Sequence, residues 1–115
     1  MAKYKKIESF LPLTHTTYYI LLALISPAHG YGIMQEVKAI THGEIALGPG
    51  TLYGALSKLT KQGLITKLEE FATNRRKYYT LTPLGRQVVK AEYERIKSLV
   101  ENSSELIQGL EGEDE

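Results

Sequence analysis

Thr51, Tyr53, Ser57, Lys58 and Lys61 crowd into one short stretch, Gly48 to Ile65 (GPGTLYGALSKLTKQGLI), and no acidic residue lies among them. Hydroxyls, a phenol and ammonium groups without a neighbouring base do not make a nucleophile. They donate hydrogen bonds and positive charge, which is the chemistry of holding a polyanion. A second cluster, Asn74-Arg75-Arg76-Lys77, has the same character. Catalysis has no comparable support. No nucleophile–base–acid set can be assembled, and the carboxylates gather in the C-terminal tail. His15, His29 and His42 are 14 and 13 residues apart, with no pair at helical spacing and no cysteine to help them, so no metal site is expected. His29 is read instead as packing at the start of a helix. Gly48-Pro49-Gly50-Thr51 is like a phosphate loop but lacks the GK[ST] ending; it reads as a helix cap whose free N–H groups can hold a DNA phosphate. The expectation is a protein that is not an enzyme and needs no cofactor.

The elements that carry these residues follow from periodicity. Leu52, Ala55, Leu56 and Leu59 recur at i, i+3, i+4 and i+7 and give a helix from Gly50 to Gln62 one apolar stripe. Its opposite face then presents Gly50, Gly54, Ser57 and Lys61, flanked by Tyr53 and Lys58. Pro49 suits the first helical position, and Gly63 stops the run. Before it, Pro12–Ser26 and Tyr31–Thr41 read as helices, the second buried through Ile33, Met34, Val37 and Ile40. Glu44–Leu47 reads as a short strand that pairs with a later hairpin. That hairpin is formed by Leu64–Glu70 and Lys77–Leu81, with the basic cluster at its tip. Thr82-Pro83 opens a last helix as N-cap and first-turn proline.

The first and last helices carry more apolar surface than one small domain needs. YYILLALI is apolar on every side, so one face can pack on the core while another meets a second copy. In the last helix Leu84, Val88 and Ala91 look back toward the domain. Val89, Tyr93, Ile96, Val100, Ser103, Ile107 and Leu110 make a heptad seam, widened by Leu99 and Leu106. Such a helix is unstable alone in water and is expected to pack on a partner's helix, the alternative being that it folds back across its own domain. Tyr18, Leu22, Val89, Tyr93, Ile96, Val100 and Ile107 are therefore the expected dimer contacts.

The 115-residue chain suits one modest core. With no cysteine, no apolar run of membrane-spanning length and no signal-peptide pattern, a cytoplasmic protein with no membrane partner is expected. A net charge of +1 hides an asymmetry: residues 1–90 hold 12 Lys/Arg against 5 Asp/Glu, whereas residues 91–115 hold 2 against 8. A basic body calls for a polyanionic partner, and the terminal EGEDE is expected to be solvated and disordered.

The order helix, helix, strand, helix, strand, basic turn, strand, long helix is that of a winged helix-turn-helix domain. The fold class is mainly α with a small β-hairpin. Residues 1–82 form the DNA-binding domain, 83–110 a C-terminal dimerisation helix and 111–115 the acidic tail. LLALISPAHGYGIMQEVKAITHGEIALGPGTLYGALSKLTKQGLI, followed by NRRKYYTLTPLGR, resembles the PadR family of bacterial transcriptional regulators over about Leu21 to Arg86. The single C-terminal helix is similar to the family's short-tailed branch. The resemblance implies a homodimer on double-stranded DNA, usually a repressor. It places Gly50, Thr51, Tyr53, Ser57, Lys58 and Lys61 on the reading helix and Asn74, Arg75, Arg76 and Lys77 on the wing.

The sequence departs from the family at Gly48, where many members carry a capping serine; that weakens the helix start by only a few tenths of a kcal/mol. Gly54 replaces a bulkier residue. Several short-tailed relatives bind aromatic drugs at the dimer centre against a tryptophan; this chain has no Trp, and the matching position is Ile96. Tyr18, Tyr19, Tyr93 and Ile96 are the residues that could line a pocket for a phenolic or planar hydrophobic effector, or equally serve as core. The alternative from another class is a winged-helix module that meets an acidic protein and reads no DNA sequence.

Overall fold

The structure, a computed structural model, describes residues 7–69 and 76–113. Helix α1 (His15–Ala23) starts where Thr14 caps it, the Thr14 side chain accepting from the Thr17 N–H at 3.1 Å. Its apolar face buries Ile20, Leu21 and Ala23, followed by Leu24. The helix is shorter at both ends than Pro12–Ser26, because the cap lies two residues inside Pro12 and the chain must straighten before Pro27. Strand β1 (Ala28–His29) then leads directly into α2 (Gly30–Ile40), and α3 (Pro49–Lys61) follows after a turn.

That turn corrects one expectation. Glu44–Leu47 is not a strand; the hairpin's third partner is β1 instead. The reason is local. Buried Thr41 donates its hydroxyl to the Val37 carbonyl at 2.9 Å and accepts the Ile45 N–H at 3.0 Å, so this backbone is committed to the turn. Ile45 and Leu47 pack half-buried against the core. His42, at φ +53°, and Gly43, at φ +83°, take the left-handed positions that end α2. Ile40 also lies at the edge of exposure rather than within the buried stripe, which is carried by Ile33 and Val37.

Helix α3 ends in a Schellman arrangement. Gly63 adopts φ +79°, the Leu64 N–H reaches the Leu59 carbonyl, and the Gly63 N–H reaches the Thr60 carbonyl, both at 3.1 Å. The chain passes at once into β2 (Ile65–Leu68), which pairs antiparallel with β3 (Tyr78–Leu81) from Ile65 opposite Leu81 to Leu68 opposite Tyr78. β3 is the central strand of the three, with β1 on its other edge. The Leu81 N–H and the Thr80 hydroxyl both donate to the Leu24 carbonyl, which ties the end of α1 to the sheet.

The long helix α4 (Pro83–Glu113) begins at Thr82, whose hydroxyl accepts the Gly85 N–H at 3.0 Å and donates to the Gly63 carbonyl at 2.6 Å. It continues to Glu113, past Leu110, so the described part of the expected tail extends the helix. A Cβ at Gly85 would overlap the Leu64 carbonyl oxygen and lie 3.0 Å from its carbon. Only glycine lets the helix start lie flat against the strand entry. Val88 and Val89 are both in the core, and Val89, 7% exposed, is thus no part of an outward seam. Glu92, the next inward residue, is a carboxylate that is 1% exposed. It accepts the Leu13 N–H at 2.8 Å and two guanidinium bonds from Arg95, at 2.5 and 3.1 Å. The Arg95 hydrogen bonds, helped by the Leu13 N–H and the Arg95 charge, hold the Glu92 carboxyl below its ordinary value against the opposing effect of burial.

Two consequences are measurable. Gly85→Ala pushes a methyl into backbone that cannot yield cheaply, and is expected to lower the urea midpoint by the equivalent of about 1–3 kcal/mol. Glu92 binds its proton less readily folded than unfolded. Its contribution to stability is therefore present above about pH 4.5 and is lost as pH falls through the lower folded-state value. Glu92→Gln should flatten this acid limb in urea melts between neutral and acid pH; an unchanged limb excludes the carboxylate as its source.

Candidate nucleic-acid interface

Helix α3 buries Leu52, Leu56 and Leu59 against the body, with Ala55 half-buried beside them. The helical period then forces Gly50, Thr51, Tyr53, Gly54, Ser57, Lys58 and Lys61 outward, and all are exposed. Its first turn carries no acid, its last turn carries Lys58 and Lys61, and Gly48 caps it without a side-chain hydrogen bond. A Cβ at Gly50 or Gly54 would meet no atom within 4 Å, so both positions are open on their outer side.

Tyr53 is tied more closely to the body than its neighbours. It is 52% exposed, yet its ring lies over Gly30 at the start of α2, where a Cβ would overlap the Tyr53 hydroxyl and come within 2.9 Å of Cζ. The glycine of His29-Gly30 is thus a packing requirement between the two helices of the helix-turn-helix. Tyr53 also lies near Tyr79 of β3; burial first, and Tyr53 second, raise the Tyr79 phenol above its ordinary value.

The structure places Arg76 and Lys77, both exposed, just before β3, while Asn74 and Arg75 lie outside the described residues. His29, Gly30, Tyr31, Tyr53, Arg76 and Lys77 line one cleft of about 430 Å³ between the wing strand, α2 and α3. From the α3 cluster the cleft takes in Tyr53, beside Arg76 and Lys77, whereas Lys58 lines a separate cleft with Phe10 and Leu59. His29 is the residue whose role the sequence conceals. Its Nδ1 accepts the Gly32 N–H at 3.2 Å and caps α2, its Nε2 lies 3.1 Å from Arg76 Nη1, and its ring stands edge-on to Tyr78 with centroids 5.3 Å apart. A histidine before a glycine is a weak cap signal, and the pairing with Arg76 spans 47 positions.

A second cleft, about 630 Å³, lies between the segment before α1, α1 itself and α4. Tyr18, Tyr19 and Ile96 are brought together there with Leu13, Glu92, Arg95 and Leu99, whereas the half-exposed Tyr93 is not among its lining residues. Burial first, then the Glu92 charge, raise the Tyr18 phenol above its ordinary value. Of the expected dimer contacts, Tyr18, Leu22 and Ile96 are half-buried. Val100 is 62% and Ile107 51% exposed, on the part of α4 that leaves the body. No helix among the described residues is long and apolar enough to cross a membrane.

Known proteins share the sequence and the fold of this chain. The chain is 39% identical over 74 residues to an uncharacterized 37.1 kDa protein in transposon Tn4556 of Streptomyces fradiae, covering 64% of this chain and 20% of that one. It is 30% identical over 84 residues to the transcriptional regulator YqjI of Escherichia coli, covering 71% of this chain and 40% of the relative. The chain thus spans well under half the length of these two curated relatives. Among solved structures, a PadR-like transcription factor from Bacteroides fragilis superposes with a TM-score of 0.68 at 27% identity, over 87% of this chain and 97% of the other. The model of the transcriptional regulator PadR-like family matches residues 20–91, from the first helix through the wing into the long helix. The chain belongs to the PadR-like family of transcriptional regulators.

Proposed function

We propose that the protein is a homodimeric, sequence-specific DNA-binding repressor, with α3 in the major groove and the wing on the flanking backbone. The observation that carries this reading is the outward face of α3, which is open, free of acid and continuous through Tyr53 with Arg76 and Lys77. Phosphate contacts from Lys58, Lys61, Arg75, Arg76 and Lys77 provide affinity, whereas Thr51, Tyr53 and Ser57 are suited to base edges. Gly50 and Gly54 let the helix backbone approach the groove closely.

The dimer is built on α4. Leu99, Val100, Leu106, Ile107 and Leu110 are exposed on the distal part of α4, where none of them is buried by the other described residues. A second copy of the same face, packed as a coiled coil and continued by Tyr93 and Ile96, removes this surface from water. The cleft at Tyr18, Tyr19 and Ile96 has the volume of a small-molecule site, and we assign to it a planar, hydrophobic or phenolic effector that loosens the two-fold arrangement. Transcriptional repression is the output that fits a protein whose DNA grip depends on such an arrangement.

Selection from random duplexes should enrich an inverted repeat with half-sites about one helical turn apart. Enrichment of no motif is instead the behaviour of a protein-interaction module. Arg75→Ala combined with Arg76→Ala should weaken binding to all sequences and lower the log–log salt slope by up to about 2, since each phosphate contact contributes roughly 0.9. An unchanged slope removes the wing from the backbone. Val100→Asp with Ile107→Asp alters only exposed positions and should give folded monomers in sedimentation velocity; a persisting dimer rules out the α4 seam.

A further inference from the structure

His29 faces two hydrogen-bond donors at once. The Gly32 N–H points at Nδ1, and the Arg76 guanidinium, which has no acceptor atoms, lies 3.1 Å from Nε2. Neither neutral tautomer of an imidazole, nor the imidazolium, accepts at both nitrogens. With the proton on Nε2 the helix cap is kept and Nε2–H opposes the guanidinium donors. With the proton on Nδ1 the Arg76 bond is kept and the cap of α2 is lost; the imidazolium loses both. Among the described residues the rest of the cleft adds the Lys77 ammonium and the hydroxyls of Tyr31 and Tyr53, and no carboxylate. The first turn of α2 is likewise free of acid.

We infer that this cleft is the seat of a single phosphate of the DNA backbone, and that His29 couples its occupancy to the helix cap. The inference rests on the DNA-binding reading above and specifies one contact within it. A phosphate oxygen is the acceptor that this group of donors calls for. Once it arrives, Arg76 transfers from Nε2 to the phosphate. His29 settles with its proton on Nε2, donating to the same anion, while Nδ1 caps Gly32. The wing and the helix-turn-helix are then joined through one anion instead of competing for one imidazole. His29 is a positioning residue for Arg76 as well as a ligand, and because it touches phosphate only, it adds affinity without sequence preference.

Ring-nitrogen NMR of His29 in the full-length protein tests this directly, during titration with a short duplex carrying the selected site and, separately, with inorganic phosphate against a chloride control. The duplex should drive the ring to the Nε2–H tautomer; phosphate should do so weakly and chloride not at all. His29→Asn, which retains a capping oxygen for Gly32 but cannot reach the anion, should weaken duplex binding by about tenfold, the scale of one hydrogen bond to a charged group. It should have little further effect when Arg76→Ala is already present, and it should leave the preferred sequence unchanged. Specific duplex binding with an unmoved His29 tautomer overturns the seat and leaves the DNA-binding reading intact. A wild-type protein that binds no duplex overturns both, and a response to inorganic phosphate without one to DNA overturns the assignment to the DNA backbone.

Discussion

The backbone joint at Leu64 fixes where everything else can go. Its carbonyl accepts the Thr82 N–H at 3.0 Å, its N–H closes the end of α3, and Gly85 lies against it without a side chain. Thr82 adds a hydrogen bond to Gly63 on one side and one from Gly85 on the other. The end of α3, the entry to the wing and the start of α4 thus converge within a few ångströms on backbone atoms, which have few ways to relax. A helix that leaves a body through such a joint keeps its direction. In the proposed dimer, that direction sets the separation and tilt of two α3 helices, so the spacing of half-sites is a property of this joint as much as of α4.

Further along α4 the packing changes character. Val88 and Val89 are core residues, Glu92 is buried but fully bonded, and beyond Ile96 the apolar residues face outward. Each large side chain left in water forgoes roughly 1.5–3 kcal/mol of burial. Glu92 marks the boundary and has a second effect. By accepting the Leu13 N–H it holds the segment before α1 against α4, and that segment forms one wall of the cleft assigned to an effector. A carboxylate with all its bonds made inside the chain gives this wall a fixed position, which an apolar side chain at the same place would not.

Periodicity made the larger elements legible. The stripe Leu52, Leu56, Leu59 is the buried side of α3, and Gly63 does end that helix with a positive φ. Thr82-Pro83-Leu84-Gly85 was readable as a helix start, although the reason for its glycine, the approach to Leu64, is a contact between positions 21 apart and has no local signature. β1 escaped because two residues have no period. Glu44–Leu47 looked like a strand because β-tolerant residues say nothing about whether their N–H groups are already taken, and Ile45's is held by Thr41. Val89 fitted a heptad and belongs to the core, since a seam on one helix cannot be separated from a stripe facing its own domain until the domain's width is known. Tyr53, Arg76 and Lys77 were each visible as exposed types suited to a polyanion, but their meeting around His29 depends on the sheet bringing β3 beside β1.

The same geometry bears on how a chain of net charge +1 would serve the proposed polyanionic partner. At 1.5 Å per residue, the 31 residues of α4 extend roughly 46 Å, and the whole fold measures 59 × 39 × 20 Å. Glu101, Glu105 and Glu111 ride on the distal half of that helix, whereas Lys58, Lys61, Arg76 and Lys77 are on the body. Screening at physiological salt reaches only about 8 Å, so acidic charges that far along the helix scarcely reduce the field at the basic face. The body presents its own excess to a partner, and the long helix moves the compensating charge away from it. A compact arrangement of the same residues would bring those carboxylates nearer to α3 and weaken the attraction on which the proposed DNA contact depends.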